Sequence, residues 1–207
     1  MIDSFLTVES PHSCEIKVER SRFIGTVVHA SDRESAEREY ERIKKKYYDA
    51  THNCFAYQLG IENKDEFRYS DDGEPSGTAG RPIYDAILSH KLTQVLVVVT
   101  RYYGGVKLGT GGLARAYRQC ADQVLKEARI CERLIMQPFK IRFEHEHTSI
   151  VMKTLADFDL RPLETAYGDG VTIAGAIRLS RYGDFESELR ERTHGKLKVE
   201  KDGEPHA

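Results

Sequence analysis

The chain has 207 residues, 40% hydrophobic and 31% charged, with a formal net charge of -2. That is the composition of an ordinary globular protein with room for one large core or two small ones, and it excludes a globally cationic nucleic-acid binder, so any such affinity rests on local segregation of charge. No apolar run approaches transmembrane length.

Residues 14–18 and 22–29 read as two strands around a turn at Glu19-Arg-Ser21. Ser31-Asp-Arg-Glu34 has the form of a capping box opening a charged helix, whose apolar stripe is Ala36, Tyr40, Ile43 and Tyr47. Cys54 to Leu59 is a predicted strand, followed by a shorter one at Phe67 to Tyr69. A loop dense in turn formers runs from Ser70 to Pro82. The helix after it has Pro82 in its first turn and Ile83, Ile87, Leu88 and Leu92 facing inward. Val95 to Val99 is a continuous apolar run, expected to be a strand buried on both faces.

The second half has its own order. Phe139, Ile141 and Phe143 alternate with Lys140, Arg142 and Glu144, a half-buried strand. Residues 148–158 read as a helix capped by Thr148 or Ser149. Arg161–Tyr167 and Val171–Leu179 form a predicted hairpin turning at Gly168-Asp-Gly170. A helix over 182–192 and a strand over Leu197–Val199 complete a β-α-β-β-α-β order, that of a ferredoxin-like split unit. The expectation is α+β with two domains, 1–132 and 133–207, and a loose polar tail after Lys201.

The richest segment is Arg101-Tyr-Tyr-Gly-Gly-Val-Lys-Leu-Gly-Thr-Gly-Gly-Leu-Ala-Arg-Ala-Tyr-Arg118. Behind it lies an amphipathic helix with Leu113, Ala116, Tyr117, Cys120, Val124 and Ala128 inward. A helix starting near Gly111 or Gly112 aims unpaired N–H groups and its positive dipole end at the loop. No Asp or Glu occurs from Ala86 through Ala121, whereas Lys91, Arg101, Lys107, Arg115 and Arg118 do. The resulting candidate anion site comprises Arg101, Gly104, Gly105, Lys107, Gly109, Gly111, Gly112, Arg115 and Arg118. Gly109 to Ala114 fits G-x-G-x-x-A, but several residues separate it from the strand, and no Walker A pattern is present, which weighs against a nucleotide fingerprint. The bland alternative is that the glycines only let the loop fold over the sheet. For Tyr102-Tyr103 a core-and-rim pair stands beside stacking on an unpaired base.

The stretch Glu62–Glu74 is acidic, with Glu62, Asp65, Glu66, Asp71, Asp72 and Glu74 against Lys64 and Arg68. Its carboxylates are candidates for a hard cation, for capping N–H groups, or for pairing with Arg81, Arg101 or Arg115. Asp71, Asp72, Glu74 and Arg81 are thus expected on the second side of a cleft. His52-Asn-Cys54 and His145-Glu-His147 place two possible ligands at i and i+2 on strands, without further ligands at metal-site spacing and without a third member for a Cys54 nucleophile. Cys14, Cys54, Cys120 and Cys131 form no C-x-x-C pair, which speaks for a reducing compartment. Met1 to Glu9 lacks the charge and apolar core of a signal peptide, and the expected location is cytoplasmic.

Lys17-Val-Glu-Arg-Ser-Arg-Phe-Ile-Gly25, His52-Asn-Cys-Phe-Ala-Tyr57, Tyr69-Ser-Asp-Asp-Gly-Glu-Pro-Ser-Gly-Thr-Ala-Gly80, Val97 through Gly109 and Gly111 through Tyr117 resemble the Impact/YigZ family. The resemblance covers most of residues 1–130. It implies an amino-terminal domain similar to the second domain of ribosomal protein S5 and, in the bacterial branch, a ferredoxin-like domain similar to late domains of elongation factor G. The eukaryotic relatives regulate translation through a kinase activator but carry a different domain in place of residues 134–207. The family defines no catalytic residues.

The leading functional expectation is a non-enzymatic, translation-associated protein that binds RNA or the ribosome through the cationic glycine loop, with no cofactor, resident metal or membrane contact. The alternatives are an enzyme or nucleotide binder acting on a phosphorylated small molecule, with Asp71, Asp72 or Glu74 as base or metal ligand, and a protein-interaction module in translation control.

Overall fold

A computed structural model describes residues 3–60 and 66–206; Glu62, Lys64 and Asp65 of the acidic stretch lie outside them. The chain divides into two compact units, Phe5–Glu132 and a second made of the residues from Arg133 onward together with Asp3 and Ser4.

The elements up to residue 134 are β1 (Ser4–Val8), β2 (His12–Val18), β3 (Ser21–His29), α1 (Arg33–Lys46), β4 (His52–Leu59), β5 (Glu66–Ser70), α2 (Gly80–Ser89), β6 (Val95–Tyr102), α3 (Gly109–Glu127) and β7 (Ile130–Leu134). β1 pairs with β7. The larger sheet has the order β2-β3-β6-β4-β5, antiparallel at every step. The expectation for Val95–Val99 holds: these residues lie on the central strand and are buried on both faces. Leu96 and Val98 pack with Phe55 and Tyr57 under Ala36 and Ile43 of α1. Val95, Val97 and Val99 face Ile83 and Ile87 of α2 and Tyr117, Cys120 and Val124 of α3. An antiparallel sheet therefore carries a strand of the kind usual in parallel sheets, because helices cover both its faces.

The second unit runs β8 (Met136–Phe143), α4 (Thr148–Asp157), β9 (Glu164–Tyr167), β10 (Val171–Arg178), α5 (Tyr182–Arg192) and β11 (Val199–Lys201). Its strand order, β11-β8-β10-β9, is the ferredoxin-like arrangement. Phe139, Ile141, Ile173 and Ile177 bury one sheet face against Val151 and Leu155 of α4 and Phe185 and Leu189 of α5. Asp3 belongs here: its carbonyl accepts from Ile135 N at 2.9 Å and its carboxylate from Ser180 N at 3.0 Å.

Local readings of the sequence are corrected at several helix ends. Asp32, not Ser31, caps α1. Its carboxylate accepts from Ser35 N, and Ser35 Oγ accepts from Asp32 N, a reciprocal box shifted by one residue. His147 is the N-cap of α4, with no side-chain cap; Thr148 Oγ1 instead donates to His145 O. Leu88 is 47% exposed, because Ile83 and Ile87 already define the inward line of α2 and the next residue is turned about 100° away. The last strand starts at Val199; Leu197 is buried but lies before it, its N–H donating to Thr193 Oγ1 at 3.3 Å. Among the described residues no helix is long and apolar enough to cross a membrane.

Candidate functional site

The register of the large sheet sets Phe23 of β3, Arg101 of β6 and His52 of β4 side by side in one row. The row faces α3, and Tyr117 of that helix meets Phe23 edge-on at 5.2 Å. Glu74 descends onto it from the loop between β5 and α2. Its Oε1 accepts from Arg101 Nη1 at 2.6 Å and from Tyr117 Oη at 2.8 Å, with His52 Nε2 3.9 Å away. Arg101 also donates through Nη2 to Ser21 Oγ at 3.3 Å, and Ser21 Oγ accepts from Gly104 N at 3.2 Å. The guanidinium lies between the rings of Phe23 and Tyr103, 5.5 and 5.3 Å from their centroids. Burial pushes the Tyr117 phenol and the Cys54 thiol well above their usual ranges, so both stay neutral.

Arg101 and Glu74 are therefore corrections to the expected open cleft. Both are buried and committed to each other, so Arg101 is not a surface cation and Glu74 is not an accessible base. Asp71 has an architectural task as well. Its Oδ1 accepts from Ala79 N and Gly80 N at 2.9 and 2.8 Å, and its Oδ2 from Gly77 N at 2.8 Å, which caps the first turn of α2 from eight residues upstream. Asp72 accepts from Asn53 N at 2.7 Å and lies 3.7 Å from Lys44 Nζ. Arg81 pairs with Asp85 at 2.8 Å rather than with the loop.

The histidine motifs separate in the same way. His52 Nδ1 donates to Asp72 O at 2.8 Å and Cys54 Sγ to Asp71 O at 3.0 Å, so both hold the loop to β4. His145–His147 is a 3-10 turn, not a strand, and its two rings do not share a sheet face. Among the described residues no three His, Cys, Asp or Glu side chains converge as metal ligands.

Two glycines of the expected anion site have a steric task. A Cβ on Gly104 would collide with the Arg20 carbonyl, so the loop after β6 can cross the β2–β3 turn only with glycine there. Gly80 is similar: a Cβ would lie 2.7 Å from Ser70 N.

Lys107, Gly109, Thr110, Gly111 and Arg115 are exposed, whereas Gly104, Gly112 and Arg118 are half-buried. α3 starts at Gly109, two or three residues before the start expected near Gly111 or Gly112. Its N-cap is Leu108, no side chain caps it, and its first turn has no carboxylate. A Cβ on Gly111 would lie 3.9 Å from Arg115 Nη1, so that guanidinium stands beside the helix start. Farther along, a groove of about 710 Å³ separates α2 from α3, lined by Asp85 and His90 on one side and Arg115, Arg118, Asp122 and Lys126 on the other. Arg118 Nε donates to Asp122 at 2.8 Å and Nη2 to Ser89 Oγ at 2.9 Å. Arg115 and Lys107 have no such carboxylate partner among the described residues. Sequence reasoning missed a further feature, the exposed ring pair Phe67 and Tyr69 on β5 over Tyr84 of α2; its signal was the i, i+2 alternation in a strand read only for its length.

A two-unit α+β protein whose acidic loop is locked to the end of the central strand, just ahead of the glycine-rich loop, by a buried carboxylate–guanidinium pair is the class these observations define. The chain belongs to the IMPACT family: the family model of the Impact N-terminal domain matches residues 19–125. It is 34% identical over 204 residues to the IMPACT family member YvyE of Bacillus subtilis, covering 99% of this chain and 93% of that one. It is 28% identical over 199 residues to the IMPACT family member YigZ of Escherichia coli, covering 96% and 98%. A crystal structure described as that of a hypothetical protein superposes with a TM-score of 0.72 at 27% identity, over 99% of this chain and 100% of that one.

Proposed function

We propose that this IMPACT-family chain is a translation-associated RNA-binding protein, and that it takes the phosphate backbone at the start of α3. The observation that carries this reading is the exposed, uncapped N-terminus of a 19-residue helix with Arg115 folded beside it. Free N–H groups and the helix dipole favour an anion there. Lys107 adds an exposed cation, and Arg115 and Lys126 extend the positive surface into the groove beside α2, where Arg118 is paired with Asp122. Arg101 contributes to the fold instead. The carboxylates that an enzyme would need as base or metal ligand are spent on N–H groups and on Arg101, which favours binding over catalysis.

Phosphate contacts release counterions, so the affinity falls steeply with salt. The test is fluorescence anisotropy of a labelled RNA across a potassium chloride series. The Lys107→Ala, Arg115→Ala double variant lowers the slope of log affinity against log salt by roughly two. Undetectable binding at low salt, or a double variant that binds like the parent, overturns the proposal.

A further inference from the structure

The surface shared by β5 and α2 carries three aromatic rings that the phosphate site leaves unused. Phe67 and Tyr69 project to the same side of β5, their planes 15° apart with centroids 6.4 Å apart. Beneath them lies Tyr84 of α2, at 4.8 Å and 21° from Phe67 and at 5.9 Å and 30° from Tyr69. Tyr84 is the floor: it is 8% exposed, and its hydroxyl donates to Gln58 Oε1 at 2.9 Å. The upper rings remain open to solvent, Phe67 at 53% and Tyr69 at 39% exposure.

Rings recruited only for packing turn inward and lose their exposure. Here two nearly parallel rings pack on a buried third and stay partly open to solvent. Their orientation is set before any ligand arrives, so little conformational entropy remains to be lost on stacking.

The charges around these rings select the ligand. Arg81, in the first turn of α2, pairs with Asp85 at 2.8 Å. Asp85 in turn lines the groove that holds Arg115, Arg118 and Lys126. α2 is thus a narrow bridge, with flat rings on one flank and cations on the other. A ligand with planar rings joined by phosphates matches both flanks at once. A duplex hides its base faces within the stack, whereas a single strand presents them. An apolar protein segment would match the rings but leave the cations unanswered.

We infer that Phe67 and Tyr69 are a base-stacking platform for an unpaired nucleotide of single-stranded RNA, whose backbone crosses α2 toward the cations of α3. The inference rests on the RNA-binding reading above and adds a ligand class to it.

The experiment uses the full chain, a labelled oligouridylate and a labelled RNA duplex of equal length. Replacing both rings, Phe67→Leu with Tyr69→Leu, lowers single-strand affinity by about fivefold to a hundredfold per base unstacked. Duplex affinity stays at the parent value, and so does the salt slope, because no phosphate contact is lost. Phe67→Tyr keeps a ring and keeps the affinity, which separates stacking from simple loss of structure. Unchanged single-strand binding in the leucine pair, with the Lys107 and Arg115 salt dependence intact, sinks the platform and leaves the RNA-binding reading standing. Equal losses on single strand and duplex also sink it. If the rings prove to capture a protein with no effect on RNA, the platform fails and the RNA-binding reading stands; if the parent binds neither RNA, both fail.

Discussion

Glu74 Oε1 accepts a 2.6 Å hydrogen bond from Arg101 Nη1, and the two side chains are only 3% and 6% exposed. Glu74 comes from a loop and Arg101 from the end of the central strand, so their contact fastens the acidic loop to the sheet. Removing one partner of a buried ion pair leaves an uncompensated charge and costs about 3–5 kcal/mol. Glu74→Gln is therefore expected to lower the urea unfolding free energy by that amount with an unchanged m-value. The Glu74→Leu, Arg101→Met pair recovers much of the loss, since an apolar replacement needs no desolvated charge. An exposed pair would be worth at most about 1 kcal/mol, so so small a loss in Glu74→Gln would contradict the burial.

Gly104 and Gly105 are adjacent but constrained differently. A Cβ on Gly104 meets the Arg20 backbone, whereas one on Gly105 meets nothing within 4 Å, although its φ is +85°. Gly105→Ala should cost only the left-handed penalty, roughly 1–2 kcal/mol. Gly104→Ala must displace the β2–β3 turn or the loop after β6, so its thermal midpoint falls well below that of Gly105→Ala. Equal midpoints would mean that the crossing is looser than described.

The α1 cap predicts a pH dependence. Asp32 is held below the usual carboxylate range, first by the hydrogen bond from Ser35 N and next by Ser31. A depressed folded-state pKa means that the contribution is complete above the unfolded value, 3.8, and is lost as pH falls through the lower folded value. Asp32→Asn keeps an acceptor for the cap but cannot titrate. Its stability should thus fall less than the parent's between neutral pH and pH values below 3.8, measured by urea unfolding at each pH. Parallel curves would remove Asp32 from the acid limb.

Much of the architecture was legible because it follows from periodicity. The alternation at Phe139, Ile141 and Phe143 and the continuous run at Val95–Val99 each placed a strand, and α5 spans residues 182–192 as read. The helix ends were less legible. Ser31-Asp-Arg-Glu-Ser35 holds two overlapping boxes one residue apart, and the chain closes the one between Asp32 and Ser35. Pairing of the acidic loop with Arg101 was one of three arginine pairings open in the sequence, and the choice among them was hidden for a different reason. A cation at a strand end looks the same whether it faces solvent or a carboxylate, and here the carboxylate is 27 residues away in the chain. The motif that identified the family thus contains a buried lock, Arg101, as well as the exposed start of α3.

The four cysteines should differ in reactivity, and two of them are linked. All are free thiols: Cys14 and Cys131 are half-buried, Cys54 and Cys120 buried. Cys14 lies opposite Gly25 on β3, and a Cβ on Gly25 would lie 3.2 Å from Cys120 Sγ. The hydrogen bond from Cys120 holds the Cys14 thiol below its usual range, against burial and the nearby Glu127, while the same contact and burial push Cys120 up. The thiolate is the reacting species, so alkylation by iodoacetamide should reach Cys14 and Cys131 before Cys54 and Cys120, as read by peptide mass spectrometry. Cys120→Ala removes the donor. The pH at which Cys14 alkylation is half-maximal should then rise toward the ordinary thiol value, whereas an unchanged profile would mean that Cys120 does not stabilise the Cys14 thiolate.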